Sequence, residues 1–454
     1  MPSVTALPPE VGGALFLATP NRRNIRPPLS PRQSMNAAPA RACGIDFGTS
    51  NSTVGWLRPG AQTLLILEDG KPTLPSAVFF NADEESTHFG RDALAEYLEG
   101  YEGRLMRALK SLLGSKLMEG STEVGGRALP FKDLLASFIG ELKRRAEAQA
   151  GRGFEQAVFG RPVFFVDGDP SADQRAEDTL AAIARQVGFK EVSFQFEPIG
   201  AARHYEAGLD REELVLIADI GGGTADFSLV RLSPERARHV DRKDDLLGNA
   251  GLHVGGTDFD RALSLECVMP LLGYRGLMKS GAEVPSGLFF QLATWHTINF
   301  AYTRQAFADF QQIYRDAAAR RELDRLARLI GQREGHWLAL QVEQAKIDLS
   351  TASTTRLHLD RLEAGLVHDI TAEAFSAATR TLVERVAATV AELLDQAGVA
   401  RDQVDTLYFT GGASGVPQLR ARIAAELPAA RSVEGDLFGS IGAGLAVEAA
   451  RRYG

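Results

Sequence analysis

CGIDFGTSNSTVGWL, Cys43–Leu57, and LVLIADIGGGTADFSLV, Leu214–Val230, are the two stretches that decide the fold. Each is an apolar strand ending in an aspartate, Asp46 or Asp219, followed by a turn of glycine and threonine. A second strand of alternating character then leaves the turn, as in Ala225, Phe227 and Leu229. The recurrence predicts a duplicated α/β architecture: two similar lobes, each opened by a hairpin whose tip faces a shared cleft.

Later segments fit that plan. Within His368–Gly398, Phe375, Leu382, Val386, Val390, Leu393 and Leu394 fall near helical spacing, with Thr371 as N-cap and Gly398 as stop. A strand over Thr406–Thr410 runs into Gly411 and Gly412, and a helix over Pro417–Leu427 follows. Asp309–Arg333 is Arg-rich and amphipathic and reads as a solvated helical hairpin.

The chain has 454 residues, enough for two or three compact units at roughly 150 residues each. Hydrophobic residues make up 44% and charged ones 24%, an ordinary globular balance that excludes wholesale disorder. The formal charge of −8 has the wrong sign for a surface that tracks nucleic acid. Apolar runs such as Pro162–Val166 fall far short of the ~20 residues that cross a bilayer. Cys43 and Cys267 are too few and too far apart for a disulfide framework or a zinc cage, and both read as core residues. The eight histidines show no paired-ligand spacing, which leaves Mg²⁺ as the only metal to consider.

Residues 1–42 carry Arg22, Arg23, Arg26, Arg32 and Arg41 against Glu10, with prolines throughout, and read as a disordered leader. Met35 is an alternative start, and the apolar run Val11–Ala18 lacks the basic flank of a secretory signal, so the expected location is cytoplasmic. The expected lobes are 43–210 with 432–454, and 211–431.

A bound nucleoside triphosphate needs donors close to its oxygens, a hard cation and a group that orients water. At Gly48 and at Gly221, Gly222 and Gly223 the missing side chains let backbone N–H groups approach phosphate, and Thr49, Ser50 and Thr224 add hydroxyls. Asp46 and Asp219 at strand ends suit Mg²⁺, directly or through its waters. Neither turn is a P-loop, and no dinucleotide fingerprint is present. Three glycine turns after apolar strands, counting Gly411-Gly412, are what a cleft between two lobes requires.

The chain resembles the nucleotide-binding domain of the DnaK-type heat-shock chaperones, of the actin-like ATPase superfamily. GIDFGTSNS is similar to the first phosphate motif, IADIGGGTADFSL to the second and YFTGGASGVP to the adenosine motif. FEPIGAARHYEAGL from Phe196, AGLHVGGTDFD from Ala250, EQAKIDLS from Glu343 and FGSIGAGLA from Phe438 keep the family's order. GRPVFF, FEPIGAA and MPLLG resemble its YegD-like branch in particular. The implied fold is a two-lobed actin-like ATPase, a duplicated ribonuclease H-like fold with inserted helical subdomains.

The resemblance implies ATP/ADP and Mg²⁺ as ligands and roles for single residues. Asp46 and Asp219 would hold the Mg²⁺ shell; Thr49, Ser50, Asn51 and Thr224 would contact phosphates; Gly255 and Gly256 would lie near the β-phosphate. Lys110 would position the attacking water and the terminal phosphate, helped by Glu197 and Asp226. Glu343, Lys346, Ser350, Gly411 and Gly412 would contact adenosine. Read without the family, Lys110 is a solvated helix cation, Asp226 a turn carboxylate, and Glu343 with Lys346 a surface pair at i, i+3.

Two departures stand out. Ile347 and Gly415 occupy the positions of two arginines that flank adenine in the family. Each lost cation–π contact is worth about 0.5–2 kcal/mol, so affinity or base selectivity should fall by roughly one to two powers of ten. The chain also ends at Gly454, soon after the last expected helix, with no peptide-binding domain in view. The expected function is an ATP-hydrolysing, lobe-closing switch that recruits a protein partner or client, with no nucleic-acid or membrane partner. The alternatives are a nucleotide-gated interaction module with little turnover, a small-molecule kinase on the same fold, for which no acceptor motif is evident, and an actin-like filament.

Overall fold

The computed structural model describes residues 41–166, 168–437 and 439–454. The expected leader therefore lies outside the described residues, apart from Arg41 and Ala42.

Two five-stranded sheets repeat one topology. The first contains β1 (Ala42–Phe47), β2 (Asn51–Gly55), β3 (Thr73–Pro75), β4 (Gln156–Arg161) and β5 (Glu191–Phe196), in the order β5-β4-β1-β2-β3. The second contains β6 (Glu213–Ile220), β7 (Ala225–Leu232), β8 (Leu246–Leu252), β9 (Thr406–Thr410) and β10 (Arg431–Glu434), in the order β8-β7-β6-β9-β10. In each, an antiparallel hairpin and a third antiparallel strand adjoin two parallel strands. The two central strands, β1 and β6, are near-continuous apolar runs because neighbours cover both their faces. This is the two-lobed arrangement that the paired hairpins predict and the actin-like ATPase fold that the resemblance implies.

Residues 432–434 depart from the expected boundary. β10 pairs in parallel with β9, Leu407 opposite Ser432, so these residues extend the second sheet. The chain rejoins the first lobe only with the helix Ser440–Tyr453, which packs on β1, β2 and β4.

The helix Ala372–Ala397 forms as its spacing predicts. Thr371 Oγ1 accepts from the Ala374 N–H at 3.1 Å, and Gly398 ends the helix in the left-handed region. Phe375, Val386, Val390, Leu393 and Leu394 enter the second lobe's core, while Leu382 is only partly buried. The expected hairpin over 309–333 is two helices, Arg304–Asp316 and Arg321–Gly331. The second is not merely solvated, since Leu323, Leu326, Leu329 and Ile330 join the core. Cys43 is buried and Cys267 half-buried, and neither is in a disulfide. No described helix is long and apolar enough to cross a membrane.

Candidate functional site

The carboxyl ends of β1 and β6 face one cleft of about 540 Å³, which is where ligands bind in open α/β sheets. The first lobe lines it with Asp46, the turn Gly48, Thr49, Ser50, Asn51, and Lys110 and Glu197. The second contributes Asp219, the turn Gly221, Gly222, Gly223, Thr224, and Asp226, Gly411 and Gly412.

The two hairpin tips meet. A Cβ on Gly222 would lie 2.6 Å from Ser50 Oγ, so any larger residue there would displace the Ser50 hydroxyl. Gly411, at φ +80°, turns beneath β6, and a Cβ there would lie 2.5 Å from Asp219 Oδ1. Gly221 donates its N–H to Thr224 O at 2.9 Å, while the Gly221 and Gly222 carbonyls accept from the Gly256 and Thr257 N–H groups at 3.0 and 2.8 Å. With its carbonyls tied back, the turn suits an anion on its other side. Gly256 thus braces this turn through its N–H, and Gly255 packs so close behind it that a Cβ there would lie 2.5 Å from Gly222 C.

Lys110 is not a solvated helix cation. It sits in a short 3-10 turn, Leu109–Leu112, entered through Ala108 at φ +53°, a strained conformation for a residue with a side chain. Its ammonium lies 2.5 Å from Glu197 Oε1, with both side chains nearly buried. Burial opposes its charge, but Glu197, Asp46 and Asp226 together hold its pKa above the ordinary value. Thr224 Oγ1 donates to Asp226 Oδ2 at 2.9 Å.

Asp46, Glu197, Asp219 and Asp226 thus crowd around a single lysine. Burial and then Glu197 push the Asp46 carboxyl up to about 7 against the pull of Lys110. Burial, Asp226, Glu197 and Asp46 push Asp219 up to about 8. A hard divalent cation fits this set, since it would discharge carboxyl groups that resist ionising together.

The expected adenosine contacts are only partly assembled. Gly411 and Gly412 line the cleft, whereas Glu343, Lys346 and Ser350, on and just beyond the helix Gly335–Asp348, are not among its lining residues. Lys346 pairs with Asp260 at 2.8 Å and donates to Gly256 O at 3.4 Å. Glu343 is exposed, Ser350 Oγ donates to Ile347 O at 2.6 Å, and Ile347 is half exposed. Unassigned beforehand were Pro162, Val163, Phe164 and Phe165, which wall the cleft with His253, Leu437 and Ser440. The GRPVFF run was the available signal for that wall.

Residues 42–270 and 330–450 match the protein family described as Hsp70 protein. The chaperone protein DnaK of Thermosipho africanus is 27% identical over 387 residues, 83% of this chain and 53% of that protein. That of Halobacterium salinarum is 24% identical over 392 residues, 85% of this chain and 52% of that protein. The chain spans about half the length of the curated relatives it matches. With its repeated hairpins, its acid-lined cleft and a match across most of its described residues, this chain belongs to the Hsp70 family.

Proposed function

We propose that the cleft binds ATP and ADP with Mg²⁺ and that the protein is an ATP-hydrolysing, chaperone-type switch acting on a protein partner or client in the cytoplasm. The observation that carries this reading is the meeting of two glycine turns over four carboxylates and one buried lysine. Its moving parts are the lobes 43–210 with the closing helix, and 211–434.

Asp46 and Asp219 hold the Mg²⁺ shell, and the ion neutralises phosphate and carboxylate charge together. Thr49, Ser50, Asn51, Thr224 and the turn N–H groups take the phosphates. Lys110, fixed by Glu197, reaches the terminal phosphate, and Glu197 and Asp226 orient water. Glu343, Lys346, Ser350, Gly411 and Gly412 face the nucleoside, where Ile347 offers an aliphatic surface in place of a guanidinium.

Single-turnover hydrolysis of ATP tests the reading in wild type, Lys110→Ala and Asp219→Asn. Hydrolysis lost in both variants supports an enzyme. Equal slow rates in all three leave a nucleotide-gated binding module, and absence of ATP binding by the wild type refutes the site.

A further inference from the structure

Both glycine turns have their carbonyls tied back from behind. In the second lobe the Gly221 and Gly222 carbonyls accept backbone N–H groups, and Thr257 Oγ1 adds a bond to Gly222 O at 2.9 Å. In the first lobe the counterpart is a single residue, Ser76, directly after β3. Its N–H donates to Ser50 O at 2.9 Å and its hydroxyl to Gly48 O at 2.6 Å. Ser76 is 2% exposed and is not among the residues that line the cleft, so it acts on a ligand only through the turn.

The Ser76 hydroxyl has one hydrogen, and it goes to the Gly48 carbonyl, which can only accept. Ser52 Oγ, buried 2.9 Å away, therefore donates to Ser76 Oγ. Each bond in this chain, from Ser52 through Ser76 to Gly48 O, polarises the next. A trans peptide sets its C=O and N–H on opposite sides. With the Gly48 carbonyl drawn back to Ser76, the Thr49 N–H is turned the other way, where Gly48, Thr49 and Ser50 line the cleft. Without that bond the peptide after Gly48 rotates easily, because glycine places no Cβ beside it. Rotation would offer an anion a carbonyl oxygen in place of a donor.

We propose that Ser76 is a positioning residue of the nucleotide site: by holding the Gly48 carbonyl back, it keeps the Thr49 N–H aimed at a nucleotide phosphate. The inference rests on the nucleotide site proposed above. It also sets the two lobes apart. The second-lobe carbonyls are tied by backbone N–H groups that a side-chain substitution leaves in place, whereas Gly48 O takes its bond from a hydroxyl.

Calorimetric titration of the full chain with ADP and Mg²⁺ tests this in wild type, Ser76→Ala and Ser52→Ala. Both variants break the buried hydroxyl pair and should lower Tm, but Ser52→Ala leaves the Ser76 bond to Gly48 O intact. Ser76→Ala should weaken ADP binding about tenfold or more, the loss expected when a donor to a charged group is withdrawn, and Ser52→Ala by under about threefold. A second measurement stands even where a variant folds poorly. In wild type labelled with ¹⁵N-threonine, the Thr49 amide proton should move downfield when ADP is added in the presence of Mg²⁺. An equal loss of affinity in the two variants, an unchanged affinity in Ser76→Ala, or a Thr49 amide that does not move downfield would overturn the positioning role alone. Failure of the wild type to bind ADP would overturn the nucleotide site, and the role of Ser76 with it.

Discussion

Asp219→Asn removes one carboxyl from the crowded quartet while keeping its size, and it should have opposite effects with and without ligand. In the ligand-free protein the Asp219 carboxyl is raised from its ordinary 3.8 to about 8. Between those values the folded chain holds a proton that the unfolded chain has released, so stability declines as pH rises through the window and the full penalty is present above it. Four units at about 1.4 kcal/mol each give an upper bound of ~6 kcal/mol. Water entering the open cleft and coupling to Asp46 reduce this, and a gain of about 1–3 kcal/mol at pH 8 is expected for the variant. For a chain of this size that is a rise of roughly 1–3 °C in Tm. Thermal melts in EDTA at pH 6 and pH 8 read it directly: Asp219→Asn should melt above wild type, by a wider margin at pH 8. Saturating ADP with Mg²⁺ should reverse the order, because the variant lacks one carboxylate for the cation. A ligand-free variant less stable than wild type at pH 8 would refute the argument that the quartet is frustrated without a cation.

Other residues give further tests. Glu197→Gln removes the charge that pairs with Lys110 at 2.5 Å, and single-turnover hydrolysis should fall by about 10²–10⁴-fold while ADP affinity, by calorimetry, changes far less. Gly222→Ala brings a Cβ to 2.6 Å from Ser50 Oγ and, by displacing that hydroxyl from the phosphates, should weaken ADP binding about tenfold or more in calorimetry. Leu394→Ala empties a fully buried position of the helix Ala372–Ala397 and should cost about 2–5 kcal/mol in denaturant unfolding, without a specific effect on hydrolysis by the folded fraction.

Much of the fold was legible because its signals are local. Asp46 and Asp219 end apolar strands, the glycine turns follow at once, and the capped helix after Thr371 carries its period within itself. Where tertiary contacts decide, legibility failed. Lys110 reads as a solvated cation until Glu197, distant in sequence, is brought to it across the lobe. Lys346 forms its ion pair with Asp260 on another helix, not with a neighbour three residues away. Residues 432–434 look like part of the return to the first lobe, but β9 offers an open edge that takes them as a fifth strand. Tyr97 and His336, whose rings meet edge-on between the lobes, share no pattern at all, since a contact between such distant segments leaves no spacing to read.

The central claim is that the aspartates of the two hairpins serve one cation on one nucleotide. Diffraction from crystals grown with ADP and Mn²⁺ in place of Mg²⁺, recorded for the anomalous signal of manganese, tests it most directly. The account predicts one strong peak in the cleft between Asp46 and Asp219, beside the phosphates of a nucleotide held by both glycine turns. A manganese peak elsewhere, or a nucleotide touching only one lobe, would contradict it.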